Sequence, residues 1–220
     1  VCEGDRGRVY LDPLREHEEI AGSAEPPDWV TPEICHWPGR TNVVEYGLTT
    51  WRDLFTPRQL TALTSFSDLV GEAIERAAAD ARAAGLPDDD TPLAEDGTGA
   101  RAYGEAVGVY LGLSVERCAD FSNTTTRWVA GNQKVMNLFA KQAIAMTWDY
   151  PEANILHETV GGFFRAVEYL ANCLPLLGPS RDGHASTADA SVQTISSDRI
   201  VSTDPPYYDN IGYADLSDLF

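Results

Sequence analysis

The stretch of this sequence best suited to chemistry is a carboxylate, two prolines and an aromatic: Asp204-Pro205-Pro206-Tyr207. An amino group conjugated to a flat heteroaromatic ring, such as that of adenine, is a poor nucleophile because the ring withdraws its lone pair. Acceptors placed around its two hydrogens favour a tetrahedral nitrogen and free the lone pair to attack an electrophilic methyl. The Asp204 carboxylate can accept one hydrogen and the Pro205 carbonyl the other, and consecutive prolines fix φ and hold that carbonyl rigid. Tyr207 offers an aromatic face on which an extruded base can stack, worth about 1–3 kcal/mol, and Tyr208 extends that platform. The alternative is a plain Pro-Pro turn beside an aromatic. The apolar Ile200-Val201 before the motif and the aromatic-rich segment after it weigh against that alternative.

Other reactive side chains form no set. The cysteines at 2, 35, 118 and 173 are far apart and include no Cys-x-x-Cys pair, so each reads as an idle or buried thiol, with Cys2 alone kept open as a metal ligand. No metal is expected. The histidines at 17, 36, 157 and 184 are scattered. Arg127-Trp128 and Lys134 could touch phosphate, but ordinary surface charge is the safer reading.

The elements that must position the tetrapeptide are mostly helical. Thr56, Pro57 and Gln59 combine an N-cap, a first-turn proline and a capping box, and Leu60, Leu63, Ser67, Val70 and Ile74 follow at helical spacing toward a stop at Gly85. The spacing predicts further helices over 101–120, 132–147 and 162–176. Leu86 to Gly99 reads as a mobile acidic linker. Residues 1–50 read as mostly irregular with a short strand at Arg8-Val9-Tyr10-Leu11. Asp198 to Thr203 reads as a strand running into the two prolines, the geometry in which α/β sheets collect ligands beyond the carboxyl ends of their strands.

Composition limits the function classes. The chain has 220 residues, 43% hydrophobic, with 34 acids against 16 bases and a net charge of -18. No apolar run reaches the roughly 20 residues needed to span a bilayer, so a soluble, cytoplasmic protein is expected. The acidity opposes nucleic-acid binding, which draws on Lys and Arg at phosphates. Either basic surface lies on a part of the protein outside this chain, or the substrate is not duplex DNA.

The segment Asp204-Pro-Pro-Tyr-Tyr-Asp-Asn-Ile-Gly-Tyr-Ala-Asp-Leu-Ser-Asp218 resembles the catalytic segment of adenine-specific DNA methylases that carry a zinc ribbon. Gly47 to Leu60, Gly97 to Tyr103 and Met146 to Asn154 resemble the same family. The resemblance implies a Rossmann-like methyltransferase fold, S-adenosylmethionine as cofactor and DNA as partner, with proteins of a restriction or defence system as further partners. It implies catalytic roles for Asp204, Pro205, Pro206 and Tyr207. It also implies substrate contacts from Tyr208, Asn210, Trp148 and Asp149, and cofactor contacts from Asp189 and Asn154. For Asp189 a solvated loop carboxylate is the competing reading, and for Trp148, Asp149 and Asn154 a structural corner. The expected fold is therefore α/β. It comprises an irregular segment over 1–47, a helical region over 48–177, and part of a Rossmann-like sheet over 178–220. The family's Gly-rich cofactor loop is missing, since Gly97-Thr98-Gly99 follows an acidic linker rather than a strand. The chain thus reads as an internal fragment, expected to be inactive and to bind cofactor weakly or not at all by itself. The remaining alternatives are a methyltransferase acting on RNA or a protein amide, and a helical module for interaction or recognition.

Overall fold

The capping signal at Thr56 starts the longest element. In the computed structural model, which describes residues 2–5, 7–28, 31–177, 188–205 and 212–219, the Thr56 side chain accepts from the Gln59 backbone N–H and Gln59 reaches back to the Thr56 N–H. Five α-helices and two small sheets are described: β1 (Cys2–Gly4), β2 (Gly7–Val9), α1 (Arg15–Gly22), α2 (Pro57–Ala83), α3 (Ala100–Phe121), β3 (Arg127–Val129), β4 (Lys134–Met136), α4 (Phe163–Cys173) and α5 (Tyr213–Ser217). The architecture is mixed helix and small antiparallel sheet.

α2 and α3 form a long antiparallel hairpin, and α4 packs across α3. Close approach of the pair depends on small residues. A Cβ on Gly104 would lie 2.6 Å from the Ile74 carbonyl oxygen and 3.0 Å from the Ala78 Cβ, and one on Gly108 would lie 2.5 Å from the Ile74 side chain. The connection over 86–99, expected to be mobile, is instead pinned. Glu105 accepts from the Leu93 N–H at 2.6 Å, Arg101 donates to the Asp90 carbonyl at 2.7 Å, and a short 3-10 turn spans Leu93–Glu95. Ion pairs and backbone bonds to α3 outweigh the solubility of the acidic run.

Two apolar clusters lie beneath the helices. One gathers Ile34, Val43, Trp51, Leu54, Leu138, Ile144 and Leu216; the other gathers Leu63, Cys118, Ile155 and Ala166. Phe55 packs against both. Burial pushes the Cys118 thiol up to about 12, opposed by the nearby Arg117 charge, which makes it an inert core residue.

Three further segments, over 132–147, over 198–203 and at the N-terminus, differ from expectation. The segment 132–147 is not a helix: β3 and β4 pair antiparallel, with Arg127 opposite Met136, Trp128 opposite Val135 and Val129 opposite Lys134. The backbone after them is satisfied by distant partners, the Phe139 N–H by the Asp120 carboxylate at 2.9 Å and the Ile144 N–H by the Arg40 carbonyl at 2.6 Å. Residues 198–203 form no strand; Asp198 has φ +59° and Ile200 and Val201 are exposed. With no strand beside it among the described residues, an apolar dipeptide gains nothing from extension. The sheets among the described residues are two antiparallel pairs, and no Rossmann-like sheet forms there. The N-terminal region, read as irregular, contains α1, and its short strand is Gly7–Val9 paired with Cys2–Gly4. Among the described residues no helix is long and apolar enough to cross a membrane.

Candidate functional site

Trp148 and Asp149 occupy a corner built by short polar side chains at the end of α3. The run Asn123-Thr124-Thr125-Thr126 competes with helical hydrogen bonding and turns the chain out of α3. Asn123 donates to the Ala119 carbonyl at 2.8 Å and accepts from the Thr125 N–H and hydroxyl at 3.0 and 2.6 Å. Thr124 donates twice to the Leu54 carbonyl, Thr126 donates to the Pro151 carbonyl at 2.8 Å, and Thr147 donates to the Thr125 carbonyl at 3.2 Å. These bonds fix both sides of the Trp148–Tyr150 turn. Glu152 then accepts from Thr56 at 3.2 Å and pairs with Arg58, tying the turn to the start of α2.

Within this corner Trp148 is 73% exposed and meets Tyr46 edge to face, ring centroids 5.3 Å apart. Asp149 is exposed. An exposed Trp held by a fixed turn and one aromatic edge has its remaining surface free for a planar ligand.

Asp204 and Pro205 are exposed, whereas Pro206, Tyr207, Tyr208 and Asn210 lie outside the described residues. The segment following the motif is anchored. In α5, Leu216 is buried in the cluster of Val43, Leu54 and Ile144, and Leu219 packs on the same cluster. Gly212, just before α5, sits so close to the Trp37 ring that a Cβ would lie 2.7 Å from it. Met146, two residues before Trp148, also packs on this cluster. One apolar cluster therefore holds the chain beside the tetrapeptide and the chain beside Trp148.

The two expected cofactor residues each close a turn of their own loop. Asn154 Oδ1 accepts from the Leu156 N–H at 3.0 Å. Asp189 accepts from the Ser191 hydroxyl and N–H at 2.7 and 2.8 Å, and those bonds hold its carboxyl below the ordinary value. Gly97-Thr98-Gly99 offers no cradle, because a Cβ on Gly99 would lie 2.7 Å from the Asp89 side chain and 2.9 Å from the Pro87 carbonyl oxygen. Among the described residues, neither the Asn154 and Asp189 side chains nor the Gly97-Thr98-Gly99 turn forms a pocket for S-adenosylmethionine.

Two adjoining open grooves, each of about 500 Å³, run between α1 and the start of α2 and share His17, Ala21 and Arg58. None of the described residues expected to take part in catalysis or in substrate or cofactor contact lines either groove, although Tyr150 and Glu152 of the Trp148 turn line one of them. The positioning residues Asn123 to Thr126 escaped sequence reading. Their signal was present as a run of four short polar residues directly after an apolar helix, a pattern that marks a hydrogen-bonded helix exit.

Compared with protein-family models, curated proteins and solved structures, the chain matches none.

Proposed function

We propose that this chain carries the amine-activating segment of an S-adenosylmethionine-dependent methyltransferase that modifies the N6 amine of adenine in DNA. The observation that carries the reading is the tetrapeptide Asp204-Pro205-Pro206-Tyr207 with its aromatic flank. Asp204 and the Pro205 carbonyl accept the two amine hydrogens, and Tyr207 stacks on the extruded base, with Tyr208 and Asn210 beside it. Bound S-adenosylmethionine would supply the electrophilic methyl and leave as its thioether, and the methylated amine would then release a proton to solvent, so no strong general base is needed. Two features support the reading. The helix α5, which begins at Tyr213 a few residues after the motif, is anchored in the core through Leu216. The exposed Trp148, two residues beyond Met146 of the same cluster, supplies a second aromatic surface, with Asp149 next to it. A Rossmann-like sheet and the groups that hold the methyl donor belong to this proposal; Asp189 and Asn154 would have to leave their turns to take part.

The test is methyl transfer from labelled S-adenosylmethionine to unmethylated DNA by the full-length enzyme. Asp204→Ala should lower the rate by a factor on the order of 100 or more, as removal of one preorganised polar group does elsewhere, with cofactor affinity changed by no more than a few-fold. A variant that kept its rate would sink the mechanism. Labelling of RNA or protein in place of DNA would move the substrate while keeping the chemistry. A second reading, a helical interaction module, is favoured by the exposed Tyr103, Val109, Tyr110 and Leu113 along α3. Methyl transfer that depends on Asp204 would exclude it as the whole function.

A further inference from the structure

The chain's acids and bases are not mixed evenly. It has 34 acids in 220 residues, yet none falls from Phe121 through Trp148, and both of its lysines, Lys134 and Lys141, lie in that stretch together with Arg127. This acid-free stretch contains the β3–β4 hairpin. Among the described residues Arg127, Lys134 and Lys141 are exposed and take part in no ion pair. Elsewhere among the described residues Arg15, Arg58, Arg82, Arg101 and Arg165 are each paired with a carboxylate, while Arg8, Arg40, Arg52, Arg76, Arg117 and Arg199 are not; what sets the hairpin cations apart is that no acid lies in their own stretch.

The register places the charges together. In an antiparallel pair, directly opposed residues share a face and successive residues alternate. Arg127, Val129, Lys134 and Met136 therefore share one face, with Arg127 and Lys134 as diagonal neighbours about 7–8 Å apart. Trp128 and Val135 take the other face. There Trp128 meets Tyr10 edge to face at 6.4 Å, and both rings remain exposed. The acid preceding the stretch, Asp120, is occupied by Asn137 at 2.8 Å and the Phe139 N–H at 2.9 Å. Asp149 follows the stretch, and Asp12 lies two residues beyond Tyr10.

We propose that the β3–β4 hairpin is the chain's contact for a single strand of nucleic acid. Arg127 and Lys134 take successive phosphates, Lys141 reinforces the field, and a base stacks at the Trp128–Tyr10 edge. Unpaired cations in an otherwise acidic molecule fit a polyanion, and the aromatic edge fits a strand whose bases are unpaired. The choice of DNA over RNA rests on the proposed function; the surface itself does not. It removes the conflict between a net charge of -18 and a nucleic-acid substrate, because attraction acts locally and is screened beyond about 10 Å at 0.1 M salt.

The experiment is fluorescence anisotropy of a labelled oligothymidylate of about 20 nucleotides, titrated with the chain between about 50 and 200 mM NaCl. Wild type should bind at the lower salt, with a log–log salt slope of roughly -2 for three phosphate contacts. R127Q/K134Q should raise Kd at least about tenfold and flatten that slope, while R76Q/R199Q, which removes two unpaired arginines elsewhere, should change Kd less than about twofold. Trp128→Leu should weaken binding about fivefold or more without changing the slope. No binding by wild type, an unchanged R127Q/K134Q, or equal losses from both double variants would each overturn the proposal. Should R127Q/K134Q melt early, R127K/K134R keeps both charges and must keep the slope; losing it would overturn the proposal too. Failure here is distinguishable from failure of the methylation reading. Hairpin-dependent binding with Asp204-independent transfer removes the chemistry alone, and Asp204-dependent transfer with hairpin-independent binding removes the hairpin alone.

Discussion

Asn123 has no exposed surface, and its amide group serves the Ala119 carbonyl on one side and Thr125 on the other. It is the point at which α3 stops and the chain turns toward the hairpin and the Trp148 corner. Removing the amide leaves the buried Thr125 N–H and hydroxyl without their acceptor, while the Ala119 carbonyl keeps the Ser122 N–H. Each unsatisfied buried group costs about 1–3 kcal/mol. Asn123→Ala should therefore destabilise the chain by roughly 2–4 kcal/mol in denaturant unfolding. Thr124→Val, which removes one of two bonds to the Leu54 carbonyl and keeps the backbone one, should cost less than half of that. If Asn123→Ala proved neutral, the polar run would be incidental and the Trp148 turn would be held by packing alone. The sequence shows Asn123 as one polar residue among four, and its partners are not visible there. Ala119 and Thr125 are close in sequence, but the Leu54 and Pro151 carbonyls that Thr124 and Thr126 meet come from distant loops.

At the scale of the element, α2 and α3 touch through glycine and alanine, and the two kinds of α3 glycine separate packing from propensity. A Cβ at Gly104 meets the Ile74 backbone at 2.6 Å, whereas one at Gly112 meets nothing within 4 Å. Gly104→Ala should cost about 1–3 kcal/mol by forcing the helices apart. Gly112→Ala should stabilise by about 0.5–1 kcal/mol, because alanine loses less backbone freedom in a helix. Opposite signs in thermal melts of two chemically identical substitutions are the check; equal signs would mean the pair does not pack as described. Both helices were legible from the sequence, because caps and long apolar periodicity are local signals. The same periodicity misled over 132–147, where Val135, Met136, Phe139 and Ile144 fall at helical spacing. There the Ala130-Gly131-Asn132-Gln133 turn, with Gln133 at φ +48°, reverses the chain, and long-range bonds from Asp120 and Arg40 replace helical ones. The strand expected at 198–203 failed for the complementary reason: a strand needs a partner, and sequence pattern alone does not supply one. Of the expected site, the Trp148 turn took a defined place. The described part of the tetrapeptide is exposed, and its anchor, Leu216 on α5, became visible only in three dimensions.

The whole molecule carries -18 net charges, and its described ion pairs are largely solvent-exposed. Exposed pairs contribute about 0–1 kcal/mol each, while repulsion among the surplus acids acts over the entire surface. Asp88-Asp89-Asp90 and Glu95-Asp96 place five of the 34 acids on the one connection that α3 must hold against its own charge. Salt screens both effects, and the repulsion is the larger. The melting temperature should therefore rise between about 20 and 500 mM NaCl, by ~2–4 °C if the relief is about 1 kcal/mol. A fall would mean that the local pairs dominate. Over the same range the affinity of the β3–β4 hairpin for an oligonucleotide should drop, since those cations lose their attraction to phosphate. Stability and binding moving in opposite directions with one variable is what a basic patch on an acidic body requires. If both weakened together, the loss of binding would be traceable to unfolding, and the charge asymmetry along the chain would have no functional consequence.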